Sequence, residues 1–242
     1  MLILENLLTD LLKSRMELGD YFSTQGCDVY YACPNETEYP GIVNIELSRN
    51  RLSLFQFVNA LNKLRRLEKN NSLNTVLSFR LVPNILNVAS SFINPKVQRV
   101  LVITGLGVAF MEGNSKSLTR IAIKIFYQLT SRRFKIVVQN IDDALELNLK
   151  SFKLINGSGI SGSATKISPR RNHLRLLFAG RLLKSKGVME SLEVLRLLRL
   201  LDENATLTVA GGFDKENPDS ISEDEKITRI DKMAMEIDDA MK

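Results

Sequence analysis

The chain has 242 residues, of which 44% are hydrophobic and 25% charged, a composition typical of a soluble folded protein with one or two domains. Its formal net charge of +6 suits an anionic partner such as a nucleotide, a lipid diphosphate or a phospholipid surface. Glu5 and Asp10 interrupt the first apolar stretch, which disfavours a signal peptide or a membrane-spanning helix there.

The charge is unevenly distributed along the chain. Residues before Asp214 include 28 basic and 17 acidic side chains, and those from Asp214 onward include 5 basic and 10 acidic. No arginine-rich run or aromatic-basic repeat favours nucleic acid. Two cysteines, Cys27 and Cys33, are typical of a reduced, cytoplasmic chain. His173 is the only histidine, so a metal site with several histidines is excluded.

The first part of the chain alternates short apolar runs with amphipathic stretches. This alternation predicts a parallel sheet with helices on both faces. The predicted strands are 1–4, 28–33, 42–47, 75–79, 99–104, 135–139 and 154–160, the last ending in a glycine-rich turn; the predicted helices are 10–24, 54–69, 84–92 and 118–129.

The predicted helix 118–129 has a pronounced apolar stripe, which we expect to face the core. Its other faces are expected to be basic and solvated. The apolar positions are Leu118, Ile121, Ala122, Ile125, Phe126 and Leu129, and the basic positions in and around the helix are Lys116, Arg120, Lys124, Arg132 and Arg133.

Two short motifs in this part invite a catalytic or cofactor interpretation. Residues 105–110 nearly match a dinucleotide-binding fingerprint. Phe110 occupies the position of the third glycine, however, and no helix is predicted to begin directly after the motif, so NAD binding is disfavoured. The glycines more simply provide a turn or a close backbone approach. Adjacent Asp142 and Asp143 do not face each other across a reacting bond, so we expect Asp142 to begin and cap the next helix.

A linker rich in glycine, serine and proline, residues 161–172, predicts a domain boundary. After it, 174–179 and 206–210 are predicted to be buried strands, joined by a helix whose inner face carries Val188, Leu192, Leu195, Leu198 and Leu201. This is a βαβ unit, in which ligands lie beyond the carboxyl ends of the strands.

Arg181 and Lys186 therefore lie at the ligand end of this unit. A helix that begins near Lys186 and Gly187 presents free backbone N–H groups, and the two cations add charge-assisted donors suited to a diphosphate. The alternative is that both cations are merely solvated, as basic loop residues usually are.

Five phrases, taken together, carry a family resemblance. In this order and spacing they resemble the retaining GT-B glycosyltransferases that build capsular polysaccharide, O-antigen and other lipid-linked glycans. The resemblance runs from about residue 15 to residue 222. The phrases are ITGLGVAF (103–110), VVQNIDD (137–143), LINGSGI (154–160), FAGRLLKSKGV (178–188) and VAGGFDKENPDSIS (209–222).

The resemblance implies an α/β fold of two Rossmann-like domains of GT-B type, the second incomplete. We place an acceptor-side domain at 1–163, a partial donor-binding domain at 164–213 and an acidic tail at 214–242. Arg181 and Lys186 match the paired cations that hold the donor diphosphate, and Gly180 allows close backbone approach. The residues implied to line the first-domain side or the hinge are Gly105, Asn140, Gly157, Ser158 and Gly159.

The implied reaction transfers a sugar from a nucleotide-sugar, with a UDP-sugar as first expectation, to a lipid-linked or polysaccharide acceptor. Arg, Lys and a helix terminus can stabilise the leaving diphosphate, so no metal and no cofactor are implied. The implied location is the cytoplasm, with peripheral contact at the inner membrane face left open.

This chain also departs from the family pattern. Val82 stands where the family commonly has a lysine before the proline, and the family's glutamate pair has no match after Gly212. No catalytic residue is therefore assigned. The alternative expectation is a truncated, inactive member that acts as a nucleotide-sugar binding remnant or a partner subunit. Such a short second domain should leave apolar surface exposed.

Overall fold

A computed structural model describes residues 1–34, 39–47, 53–110, 118–157, 159, 174–213 and 219–221. The chain divides into two compact units, Met1–Gly162 and Ser163–Lys242. The whole of the predicted linker 161–172 and most of the predicted acidic tail lie outside the described residues, as does His173. Each unit is described by itself below.

The first unit is a seven-stranded sheet whose paired strands are all parallel, in the order β3-β2-β1-β4-β5-β6-β7. The strand order reverses between β1 and β4, which are neighbours in the sheet but not in sequence. The strands are β1 (Leu2–Leu4), β2 (Tyr30–Cys33), β3 (Ile42–Asn44), β4 (Thr75–Phe79), β5 (Gln98–Ile103), β6 (Lys135–Val138) and β7 (Lys153–Leu154).

The helices of this unit follow the predicted alternation. The first predicted helix begins earlier, at Leu8, and contains a π-helical turn, Leu11–Arg15. The third predicted helix begins at Leu81 rather than Asn84, two residues after the end of β4 at Phe79. The helices are α1 (Leu8–Asp10), α2 (Met16–Thr24), α3 (Leu54–Asn70), α4 (Leu81–Ser91), α5 (Leu118–Thr130) and α6 (Ile141–Glu146).

Residues of opposite faces of the sheet form separate hydrophobic cores. On one face Leu2, Leu4 and Val76 pack with Leu64 of α3 and Leu86 of α4. On the other, strand residues including Ile3, Leu77 and Val102 pack with Leu11. Among the described residues no helix is long and apolar enough to cross a membrane.

A buried polar network joins α3 and α4 to the sheet. The Arg99 guanidinium forms an ion pair with Glu68, and both side chains are almost fully buried. Arg99 also donates to Asn87 Oδ1 at 3.1 Å and to the Asn94 carbonyl at 3.0 Å, while Ser90 Oγ donates to Glu68 at 2.9 Å. Such a network favours one register of the helices against the sheet, because any shift leaves a buried charge unpaired.

The prediction for α5 is right about the helix and wrong about the face. Leu118 is 83% exposed, and Ile121, Ile125 and Leu129 are exposed as well. The buried positions are instead Ile123, Tyr127 and Thr130. This second stripe also has helical spacing, and the Tyr127 hydroxyl accepts a hydrogen bond from Asn84 Nδ2 at 3.0 Å. Arg120 and Lys124 pair with Glu146 of α6 rather than being simply solvated.

The second unit contains the predicted βαβ arrangement. Strands β8 (Arg175–Ala179) and β9 (Thr206–Ala210) pair in parallel, and α7 (Val188–Arg199) connects them. The strands are not fully buried as predicted. Residues alternate between half-buried and exposed, and Leu177 is 67% exposed. Because α7 packs against both strands, only one face is covered in the described structure, which confirms the expected exposed apolar surface. Leu201 lies beyond the end of α7 and is exposed.

Candidate functional site

The loop between β8 and α7, residues 180–187, lies at the carboxyl end of a parallel strand. The Gly180 N–H donates to the Ala210 carbonyl at 2.9 Å and the Leu182 N–H to the Gly212 carbonyl at 3.0 Å, so the strand pairing continues into the loop. Gly211 permits this approach, because a Cβ there would lie 1.7 Å from the Gly180 carbonyl oxygen. This contact joins the two strands, whereas the close approach to a diphosphate expected at Gly180 stays a prediction.

Two leucines anchor the loop and separate its cations from the core. Leu182 is buried with Val188 and Ile221 and Leu183 is also buried, whereas Arg181, Lys184 and Lys186 are exposed. Gly187, with a φ of 75°, turns the chain from a short 3-10 segment, Lys184–Lys186, into α7. This left-handed conformation favours glycine. The loop therefore presents its cations at a fixed edge of the unit.

A segment later in the chain, residues 219–221, packs against the loop and forms hydrogen bonds with it. Leu183 and Ser220 form an antiparallel bridge, and the Ile221 N–H donates to the Leu182 carbonyl at 3.1 Å. The Asp219 carboxylate accepts from the Ser185 N–H at 3.0 Å and from the Ser185 hydroxyl. The hydroxyl bond is the main reason that the pKa of Asp219 is lowered. Sequence reasoning missed this contact, although the DSIS phrase belonged to the resemblance.

Asp219→Asn should loosen this loop without unfolding the unit. The amide cannot accept hydrogen bonds as strongly as the carboxylate does, since bonds to charged acceptors are roughly twice as strong as neutral ones. We expect faster amide hydrogen exchange at Ser185 and Lys184. Exchange at Thr208 in β9 is the internal control, and equal rates in both proteins at Ser185 would contradict the contact.

The helix-terminus part of the phosphate prediction needs correction. The N–H groups of Lys186 and Gly187 donate to the carbonyls of Leu183 and Lys184, at 3.0 and 3.1 Å. They are therefore engaged within the 3-10 segment and are not free for a ligand. The helix itself begins one residue later, at Val188, so its first turn supplies any N–H groups for an anion.

The residues predicted to line the first-domain side or the hinge lie at one edge of the sheet of the first unit. Gly105 follows β5, Asn140 follows β6, and Gly157 and Gly159 follow β7, and these strands are neighbours. Ser158 lies outside the described residues.

Asn140 and Gly157 each have a defined structural place. Asn140 is the N-cap of α6 and accepts from the Asp142 N–H at 3.0 Å, so the predicted cap at Asp142 is wrong. The reason is that Asn140 is the last residue with extended backbone before the helix. Gly157 lines a cavity of about 760 Å³ between α2 and the sheet, with an apolar lining that includes Leu18, Phe22 and Val100.

A cluster of charged side chains at the same edge was missed from the sequence. Glu5 and Asp10 both pair with Arg80, and Glu5 also pairs with Arg15. Glu5 is fully buried, and desolvation raises its pKa, opposed chiefly by the charge of Arg80. The position of Arg80 at the end of a predicted strand was the available signal.

The comparisons with known proteins bear on the fold. No family model and no curated protein matches the chain. A glycosyltransferase from Rickettsia africae ESF-5 is similar in structure, with a TM-score of 0.65 at 13% identity over 98% of this chain. A sucrose-phosphate synthase from Thermosynechococcus elongatus has a TM-score of 0.64 at 13% identity over 98% of this chain. MurG from Acinetobacter baumannii has a TM-score of 0.51 at 12% identity over 90% of this chain.

The fold is of GT-B type. The predicted α/β fold class with Rossmann-like units is thus confirmed. The chain spans 65%, 67% and 69% of the length of these three structures. At such low identity, the likeness establishes the fold alone.

Proposed function

We propose that this GT-B chain is a glycosyltransferase that uses a nucleotide-sugar donor. The observation that carries the proposal is the loop 180–187, which presents Arg181 and Lys186 at the carboxyl end of β8 while Leu182 and Leu183 fix it in the core. Paired cations on a fixed loop suit a diphosphate, and the similar structures include glycosyltransferases. A UDP-sugar is the first donor to test.

The chemistry of this loop concerns the leaving group. As the sugar bond breaks, negative charge grows on the departing nucleoside diphosphate, and cations held at that position stabilise the transition state more than the ground state. Arg181 and Lys186 would supply that charge without a metal ion or a cofactor. No residue of the described chain is assigned as the catalytic acid, base or nucleophile.

A lipid-linked or polysaccharide acceptor in surface glycan synthesis is the finer part of the proposal. The exposed apolar stripe of α5, Leu118, Ile121, Ile125 and Leu129, supports peripheral contact with a membrane at its cytoplasmic face. Exposed Arg132 and Arg133 follow directly after this helix and would favour anionic lipids.

The alternative is nucleotide-sugar binding without turnover, as a binding protein or a partner subunit. The exposed apolar face of the second unit favours it, because Leu177, Leu197 and Leu200 would suit coverage by further protein. Both candidates require the same diphosphate loop.

A two-step experiment tests the proposal. Calorimetry with UDP on the whole chain should show saturable binding, and absence of binding rejects both candidates. Incubation with a set of UDP-sugars and a polyprenyl-diphosphate acceptor then separates them. Sugar transfer supports the enzyme, whereas UDP binding with no transfer for any donor supports binding without turnover.

A further inference from the structure

The charged cluster of the first unit lies at the reversal of strand order. Glu5 directly follows β1 and Arg80 directly follows β4, the two strands between which the order of the sheet reverses. In open α/β sheets, the crevice beyond such a reversal is where ligands bind. The cluster is thus placed at the ligand position of this sheet.

Arg80 has a backbone conformation that is unusual for its residue type. Its φ is 72° and its ψ is 170°, a region that is essentially restricted to glycine. Its N–H donates to the Val102 carbonyl at 3.1 Å, which fixes the chain there. This strained backbone conformation, in a residue with a long side chain, supports a functional role for that side chain.

The cluster contains two carboxylates and two guanidiniums, so its formal charges cancel. Glu5 Oε1 lies 3.4 Å from Arg80 Nε, and Glu5 Oε2 lies 3.3 Å from Arg15 Nε. Asp10 binds Arg80 through its Nη2. Glu5 and Arg15 are buried, whereas the side chains of Asp10 and Arg80 are 35% and 27% exposed. A ligand at this edge can therefore reach Asp10 and Arg80.

One polar atom beside this pair lacks a hydrogen-bond partner among the residues that the structure describes. It is Oδ1 of Asn6, a residue with only 8% of its surface exposed. Asn6 adjoins Glu5, whose carboxylate accepts the Asn6 N–H at 2.9 Å. Buried polar atoms normally have partners, so the unpaired Asn6 acceptor is compatible with an additional ligand.

We propose that the pair Asp10–Arg80 is an acceptor subsite that binds the hydroxyl groups of a neutral sugar, with Glu5 as the residue that positions Arg80. The inference rests on the proposed function, since it assigns the acceptor of that reaction. Each sugar hydroxyl both donates and accepts, which matches a carboxylate beside a guanidinium. An anionic group such as the phosphate of a lipid carrier gains little from a cluster whose formal charges cancel, so it fits less well.

Nuclear magnetic resonance on the ¹⁵N-labelled whole chain tests the subsite directly. The probes are methyl glycosides of neutral hexoses and, separately, inorganic phosphate; the readout is the Nε–H signal of Arg80, assigned with Arg80→Lys. At least one glycoside should shift this signal saturably, and phosphate should not. Asp10→Asn should weaken the binding of that glycoside by about tenfold or more, the loss of affinity expected when a hydrogen bond to a charged group is removed.

Glu193→Gln is the matched control. It neutralises a carboxylate that pairs with Arg196 in the second unit, so glycoside binding at Arg80 should stay unchanged. No shift with any glycoside, or a shift with phosphate alone, overturns the subsite even if UDP still binds. Loss of UDP binding, in contrast, rejects the proposed function and is measured independently in the same sample.

Discussion

Arg99→Met should destabilise the first unit by about 3–5 kcal/mol, the range for removing one partner of a buried ion pair. Glu68 would remain buried without its guanidinium partner, and Asn87 Oδ1 and the Asn94 carbonyl would each lose a donor. Methionine retains much of the length and apolar character of the arginine side chain, so the loss of polar contacts dominates.

Tyrosine fluorescence during urea unfolding measures this effect selectively. All five tyrosines precede residue 163 and the chain has no tryptophan, so the signal reports the first unit. The double variant Arg99→Met, Glu68→Leu should recover most of the loss, because no charge is then left buried alone. A single variant as stable as the parent would contradict the buried network.

Gly211→Ala is expected to have the second largest effect, on the second unit. A Cβ at this position would lie 1.7 Å from the Gly180 carbonyl oxygen, and a backbone atom cannot rotate away as a side chain can. We expect a loss at or above the upper end of the about 1–3 kcal/mol that overpacking usually costs. The paired ends of β8 and β9 must separate, so the loop 180–187 should lose its fixed position and UDP binding should weaken.

Gly212→Ala is the control for this variant. A Cβ there meets no atom within 4 Å, so the free energy of unfolding and UDP affinity should both remain near the parent values. Amide hydrogen exchange in β8 and β9 compares the two variants. Equal protection in Gly211→Ala and Gly212→Ala would contradict the close approach at Gly180.

Much of the fold could be predicted from the sequence, because the alternation of strands and helices is a local pattern. The faces of elements were harder to predict. In α5, one stripe includes Leu118 and Ile125 and another includes Ile123 and Tyr127; both repeat at helical spacing, and hydropathy favours the first. Only tertiary contacts, such as the Asn84 bond to Tyr127, select the second.

The candidate site could be predicted only where its signal is local. The loop with Arg181 and Lys186 follows from one βαβ unit, so the structure places it as expected. The role of Asp219 depends on a return of the chain to Ser185, 34 residues away. The contact of Arg80 with Asp10 joins residues 70 apart and depends on the reversal of strand order. Neither distance is encoded in a local pattern.

Calorimetric titration of UDP into the Arg181→Ala variant tests whether the loop 180–187 binds the donor diphosphate. Arg175→Ala is the matched control, because Arg175 is also exposed but lies at the amino end of the same strand. We expect Arg181→Ala to weaken UDP binding by about 1.5–3 kcal/mol, the range for a hydrogen bond to a charged group, and Arg175→Ala to leave UDP binding unchanged. Unchanged affinity in Arg181→Ala would contradict the diphosphate site.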